Sequence, residues 1–163
     1  MSKPLAGRRA VVTGAASGLG AAAVRALTEA GAEVVATYHQ TKPSDETRAT
    51  WLQCDARDAD SVNAMIDAAV AAMGGLDVLV NAAGLWHQGI PGQIAVADID
   101  FVLDTNVKTT ILTNQAAHAA MRMSGGRIIN FGSAEAVMGS PISAVYAAAK
   151  GACLLYTSDA ADE

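Results

Sequence analysis

The 163-residue chain is predicted to be an α/β protein: a doubly wound parallel sheet in three layers, reaching about its fifth strand. Three observations carry this. Strand-length apolar runs alternate with longer alanine-rich helical stretches, a pattern that buries a parallel sheet on both faces. A glycine-rich turn joins the first apolar run to the first helical one. The 52% hydrophobic content at this length supplies one sizeable core, so a single compact domain is expected.

Strands are expected at residues 10–13, 34–37, 50–54, 76–81 and 127–131, and helices at 18–30, 59–73 and 98–123. Residues 41–49 are short and polar, which predicts a loop or a stub of helix rather than a full crossover helix. Asp58 or a neighbour is placed to cap the helix that follows. The chain shows no repeat, low-complexity tract or interdomain linker.

The first βα turn is Thr13-Gly14-Ala15-Ala16-Ser17-Gly18-Leu19-Gly20. Glycines there permit a tight turn, close approach of a pyrophosphate to the backbone and close helix-on-strand packing, while the helix N-terminus favours the anion. The strand-turn-helix context makes this a Rossmann-like dinucleotide cradle rather than an ordinary turn. The second strand then ends in Tyr38-His39-Gln40-Thr41-Lys42, where an acid would read a ribose 2′-hydroxyl. None is present. NADP is mildly favoured over NAD, with His39 and Lys42 as phosphate partners; both read equally well as solvated loop residues.

Asn81-Ala82-Ala83-Gly84 follows the fourth strand, where small residues let a cofactor lie close, and Asn81 can brace the turn. Asn106 interrupts a helical pattern as a poor helix former that bends the helix or serves a site. Ser133 follows the fifth strand, at the carboxyl edge where open α/β sheets bind ligands. Taken singly, these are a turn, an exposed asparagine and a loop serine. Tyr146 and Lys150 stand four residues apart in a helix-favouring run, hence on one face about one turn apart. A cation so close favours the phenolate and moves the phenol towards proton transfer near neutrality. On spacing alone the pair reads better as a core tyrosine and a solvated lysine; the company of the other motifs reverses that.

Net charge −5 and pI near 5.1 leave no basic footprint for nucleic acid or an acidic membrane surface. Cys54 and Cys153 form neither a disulfide framework nor a CxxC pair, and His39, His87 and His118 are too scattered for a metal site. No leader-like apolar segment follows the basic start, and no run of eighteen apolar residues occurs. A cytoplasmic protein is expected, with no nucleic acid, membrane or metal partner.

Together these motifs resemble the short-chain dehydrogenase/reductase family. TGxxxGxG at 13–20, Asp55 after the third strand, NAAG at 81–84, Asn106-Val107, Ser133 and YxxxK at 146–150 follow the family's order and spacing, including thirteen residues from Ser133 to Tyr146. The match runs from about Arg8 to Ala152. Gly132 departs from the family's usual serine and Thr109 from a frequent glycine; neither removes a catalytic group. The resemblance implies an oxidoreductase that moves a hydride between NAD(P)(H) and a small carbonyl or alcohol. Tyr146 would be the acid/base, Lys150 would lower its pKa and hold the ribose, Ser133 would orient the carbonyl, and Asn106 would place a relay water. Gly14, Ser17, Gly18, Leu19, Gly20, Tyr38, His39, Asp55, Asn81, Ala82, Ala83 and Gly84 would bind cofactor, Asp55 at the adenine amino group. It also implies a homo-oligomeric parent, paired through the helices of Asn106 and Tyr146. Trp86 and His87, just past NAAG, are given no role.

After Lys150 the family continues with an apolar helix, a strand and a substrate-closing segment. Here residues 153–163 turn polar and resemble the translated end of a transposon adapter used in DNA library preparation. The expected organisation is a partial dinucleotide-binding and catalytic domain at 1–152 and a non-native tail at 153–163, with the Tyr146 helix cut within its first turns. A chain that only binds dinucleotide, or one that does not fold, is the alternative to an active enzyme.

Overall fold

The computed structural model describes residues 3–40, 43 and 47–159. Lys42 and the last four residues of the expected tail lie outside them. Among the described residues five parallel strands form one sheet in the order β3-β2-β1-β4-β5: β1 Arg9–Thr13, β2 Glu33–Tyr38, β3 Thr50–Gln53, β4 Val78–Asn81 and β5 Arg127–Asn130. All five expected strands are present, with ends shifted by one or two residues. Leu76 is buried but precedes β4; Asp77 already bonds both neighbouring strands, its N–H donating to Arg9 O and its carbonyl accepting the Arg127 N–H, while its carboxylate accepts from the Arg9 backbone N–H and guanidinium.

Alternation along the strands separates two cores. Val11, Val35 and Leu79 face one side, where α2 (Ala59–Met73) contributes Val62, Ile66 and Ala69. Ala10, Val12, Val34, Ala36 and Val80 face the other, beneath Val24 of α1 (Gly18–Glu29). A strand buried on both faces reads as a continuous apolar run, as Ala10-Val11-Val12 does. Asp58 caps α2 by accepting from the Ser61 N–H (2.7 Å), as expected, and Gly74 closes it in the left-handed conformation at φ 74°.

The single helix expected at 98–123 is instead α3 (Val96–Leu103), a π-turn at Asp104–Lys108, and α4 (Thr109–Met121). The cause is local competition for carbonyls. Asn106 Nδ2 donates to Val102 O (3.0 Å), Thr109 Oγ1 to Thr105 O (2.9 Å), and Thr105 Oγ1 to Phe101 O. A short α5 (Glu135–Met138) follows β5, and α6 runs Ala144–Asp159. The helix of Tyr146 is therefore not cut within its first turns. Cys153, three residues past Lys150, is buried and directs Sγ at Asn106 O (3.5 Å) and Thr110 Oγ1 (3.7 Å). No helix among the described residues is long and apolar enough to cross a membrane.

Candidate active site

Register brings Thr13, Asn81 and Asn130 side by side at the carboxyl ends of β1, β4 and β5. Asn81 is buried, and its Nδ2 donates to Asn114 Oδ1 (2.6 Å) and Asn130 Oδ1 (2.7 Å). Thr13 Oγ1 accepts the Ala83 N–H (3.3 Å). These bonds hold the 81–84 turn against the glycine turn. A Cβ on Gly14, which already has φ 59°, would sit 2.6 Å from the backbone of Ala83, and one on Gly20 would strike the Gly14 carbonyl. Only glycine fits where these two turns meet. Residues 17–19 are exposed at the start of α1, and Ser17 spends its hydroxyl on no cap bond.

Beyond them lies a cleft of about 130 Å³. Leu19 reaches it from the first turn, Asn81, Ala82 and Gly84 from the end of β4, and Tyr146 and Lys150 from α6. Leu85, Trp86, Phe131 and Gly132 complete its wall. Trp86, an aromatic just past the small-residue turn that reads from sequence either as pocket lining or as cover for the core, is half-exposed and lines the cleft.

Tyr146 is half-buried, and the Lys150 Nζ lies 5.9 Å from its ring centroid. Lys150 is only 8% exposed and donates to Phe131 O (3.1 Å). Burial pushes its ammonium below the ordinary lysine range. Asn106 is fully buried: its Oδ1 accepts the Leu85 N–H (3.2 Å), and its Nδ2 donates to Leu85 O (3.1 Å) as well as to Val102. The asparagine thus clamps both polar groups of the residue after Gly84. A Cβ on Gly84 would come 2.8 Å from Asn106 Oδ1 and 3.7 Å from Lys150 Nζ, so glycine, asparagine and lysine are packed as one unit. Ser133 Oγ accepts the Glu135 N–H (3.2 Å), which leaves its own proton to donate. The neighbouring Gly132 leaves room for Leu154 Cδ2, which a serine Cβ there would approach to 2.9 Å.

Tyr38, His39 and Asp55 gather separately, at the ends of β2 and β3. Asp55 is held in a chelate that its sequence position did not announce. Its Oδ1 accepts from the Arg57 N–H (3.0 Å) and Nε (2.9 Å), its Oδ2 from Arg57 Nη2 (2.8 Å), with His39 Nε2 at 3.4 Å. Arg57 keeps the carboxyl well below the usual range.

A crevice at the carboxyl ends of a parallel sheet, a cradle closed to any Cβ and an exposed helix N-terminus fit a dinucleotide. The family comparison agrees. The short chain dehydrogenase model matches residues 8–163, and the chain belongs to that family. Cis-4-hydroxycyclohexanecarboxylate dehydrogenase of Sinomonas cyclohexanicum is 37% identical over 99% of this chain and 69% of its own. An oxidoreductase of Methylorubrum extorquens is 36% identical over 93% of this chain and 64% of its own. In three dimensions, a short chain dehydrogenase from Burkholderia cenocepacia in complex with NADP superposes with TM-score 0.86 at 35% identity, covering 97% of this chain and 69% of that one. The chain thus spans about two thirds of the length of the proteins it matches.

Proposed function

We propose that the protein is an oxidoreductase acting on a small carbonyl/alcohol pair with NADP or NAD. The observation that carries this is one cleft lined by Leu19 of the glycine turn, Asn81 and Gly84 of the β4 end, and Tyr146 with Lys150 on α6. When bound, the nicotinamide supplies or accepts the hydride. Residues 14–20 and 81–84 hold the dinucleotide, with Tyr38, His39 and Asp55 at its adenosine end. Tyr146 gives a proton to the carbonyl oxygen in reduction and takes it from the alcohol in reverse. Lys150 supplies positive charge beside the phenol, and Ser133 donates its free proton to the oxygen where charge develops. Asn106 keeps Gly84 and Leu85 in place beside Lys150, and a proton relay from that lysine to solvent belongs to the same proposal. The lean to NADP rests on the absence of an acid at 38–40 and on the NADP-bound relative.

The test is NADPH or NADH oxidation by the chain with 4-oxocyclohexanecarboxylate, simple ketones and aldehydes, beside Tyr146→Phe. Turnover in the wild type that falls about 10²–10⁴-fold in the variant, with cofactor affinity kept, is expected; equal turnover defeats the mechanism. Cofactor binding without any turnover would instead make the chain a dinucleotide-binding module. We further propose that residues 1–152 are the native partial domain, a homo-oligomer in its parent, and 153–163 a foreign tail. A contiguous genomic read in which native coding sequence continues through codon 163 would remove the last of these.

A further inference from the structure

Between the strand end that carries Ser133 and the helix that carries Tyr146 lies α5, four residues long, with Val137 81% and Met138 78% exposed. A helix this short does not hold itself in place. It packs against α6, and Glu135 adds two hydrogen bonds, one back to Ser133 and one forward to Ser143. Its backbone N–H donates to Ser133 Oγ (3.2 Å), and its Oε2 accepts the hydroxyl of Ser143.

Ser143 is wholly buried and immediately precedes α6. Its carbonyl accepts the Ala147 N–H (2.9 Å), and the flanking backbone is pinned to Gly89, whose N–H donates to Ile142 O (2.8 Å) and whose carbonyl accepts from Ala144 (3.1 Å). Ser143 Oγ also lies 2.7 Å from Ser140 Oγ. A hydroxyl has one proton, so with the Ser143 proton on the carboxylate, Ser140 is the donor of that second pair. A carboxylate here also has the sign that the amino end of α6 favours.

We infer that Glu135 is a positioning residue for the proposed reaction. Its main chain occupies one acceptor site of Ser133 and leaves the serine proton to offer the substrate, and its side chain fixes the start of the helix that delivers Tyr146 three residues later. One residue thereby sets the spacing between the group that orients the carbonyl and the group that protonates it. The inference rests on the functional reading above, and its tests separate the two.

In the 163-residue chain, Glu135→Ala and Ser143→Ala are each expected to lower kcat by about fivefold or more, with KM for NADPH within about twofold. Glu135→Gln, whose amide oxygen still accepts from Ser143, is expected to stay within about fivefold of wild type. A role confined to general stability would move the thermal midpoint and KM together and would not be rescued by glutamine. A smaller loss in Glu135→Ala, or a loss in Glu135→Gln as large as in alanine, overturns the inference. Amide exchange at Ala147 in the presence of NADPH gives a readout that needs no turnover. It should quicken about fivefold or more in Glu135→Ala and stay unchanged in Glu135→Gln. If the wild type reduces none of the carbonyls, the functional reading fails for this chain, and unquickened exchange in Glu135→Ala alone overturns the tie.

Discussion

The two ends of the crevice are built by opposite means. At the end with Tyr146, a lysine is buried on a carbonyl, an asparagine with no exposure clamps a loop, and a glycine is wedged between them. At the end with Asp55, an arginine, a histidine and a carboxylate meet while each stays about a third exposed or more. Water can replace any partner at the second end, whereas the partners of Asn106 at the first are closed to it. Loss of a neutral hydrogen-bonding partner such as Asn106 should therefore be costly at the first end and loss of a partner cheap at the second, whereas the buried ammonium of Lys150 itself carries a desolvation cost.

Lys150→Met is the sharpest way to break this contrast. Turnover should fall about 10²-fold or more, yet the variant should melt no earlier than wild type at neutral pH, because desolvating the buried ammonium costs more than its one carbonyl bond returns. The sign follows from the lowered pKa. The cost is present while Lys150 is charged in the folded state, and it fades as pH rises through that lowered pKa towards 10.5. Melting curves of both proteins from neutral to alkaline pH should converge or cross accordingly; a variant less stable throughout would contradict the account.

Gly14→Ala comes next. Its Cβ meets backbone at 2.6 Å and its φ of 59° disfavours any side chain, so a loss of about 2–4 kcal/mol in denaturant unfolding is expected, together with lost NADPH binding. Asn106→Ala removes three side-chain bonds, one buried and two part-buried, and should cost about 2–3 kcal/mol. A cost under about 1 kcal/mol would show that water fills its place and that the reacting end is wetter than its burial implies. The smallest effect belongs to Asp55→Asn, less than about 1 kcal/mol near neutrality. Arg57 holds the Asp55 pKa low, so its contribution is present above the ordinary carboxylate range near 3.8 and is lost as falling pH protonates the folded carboxylate. Wild-type and Asp55→Asn melting temperatures should approach each other in acid.

What could be read directly from the chain was whatever is local in it. The alternation of apolar runs, the glycine turn, the Asp58 cap and the helical spacing of Tyr146 and Lys150 each depend on residues within a few positions of one another, and each stands where it was expected. Leu19, Asn81, Ala82 and Gly84 could be assigned to the crevice because a parallel sheet delivers every such turn to the same edge. Other features depended on partners far away in sequence. Asn106, set in its π-turn by local bonds, spends its remaining side-chain capacity on Leu85, twenty-one positions earlier. Asn81 chooses between Asn114 and Asn130 and takes both. Asp55, besides its local chelate with Arg57, meets His39 from the end of β2, and the helix of Tyr146 persists past residue 152 because Cys153 finds a buried seat on Asn106 and Thr110. Periodicity and turn chemistry act over one or two turns of chain, so sequence alone determined the sheet, its order of elements and the face bearing Tyr146 and Lys150. Which buried polar group satisfies which other is settled only when distant segments exclude water together, and that choice was left to the tertiary structure.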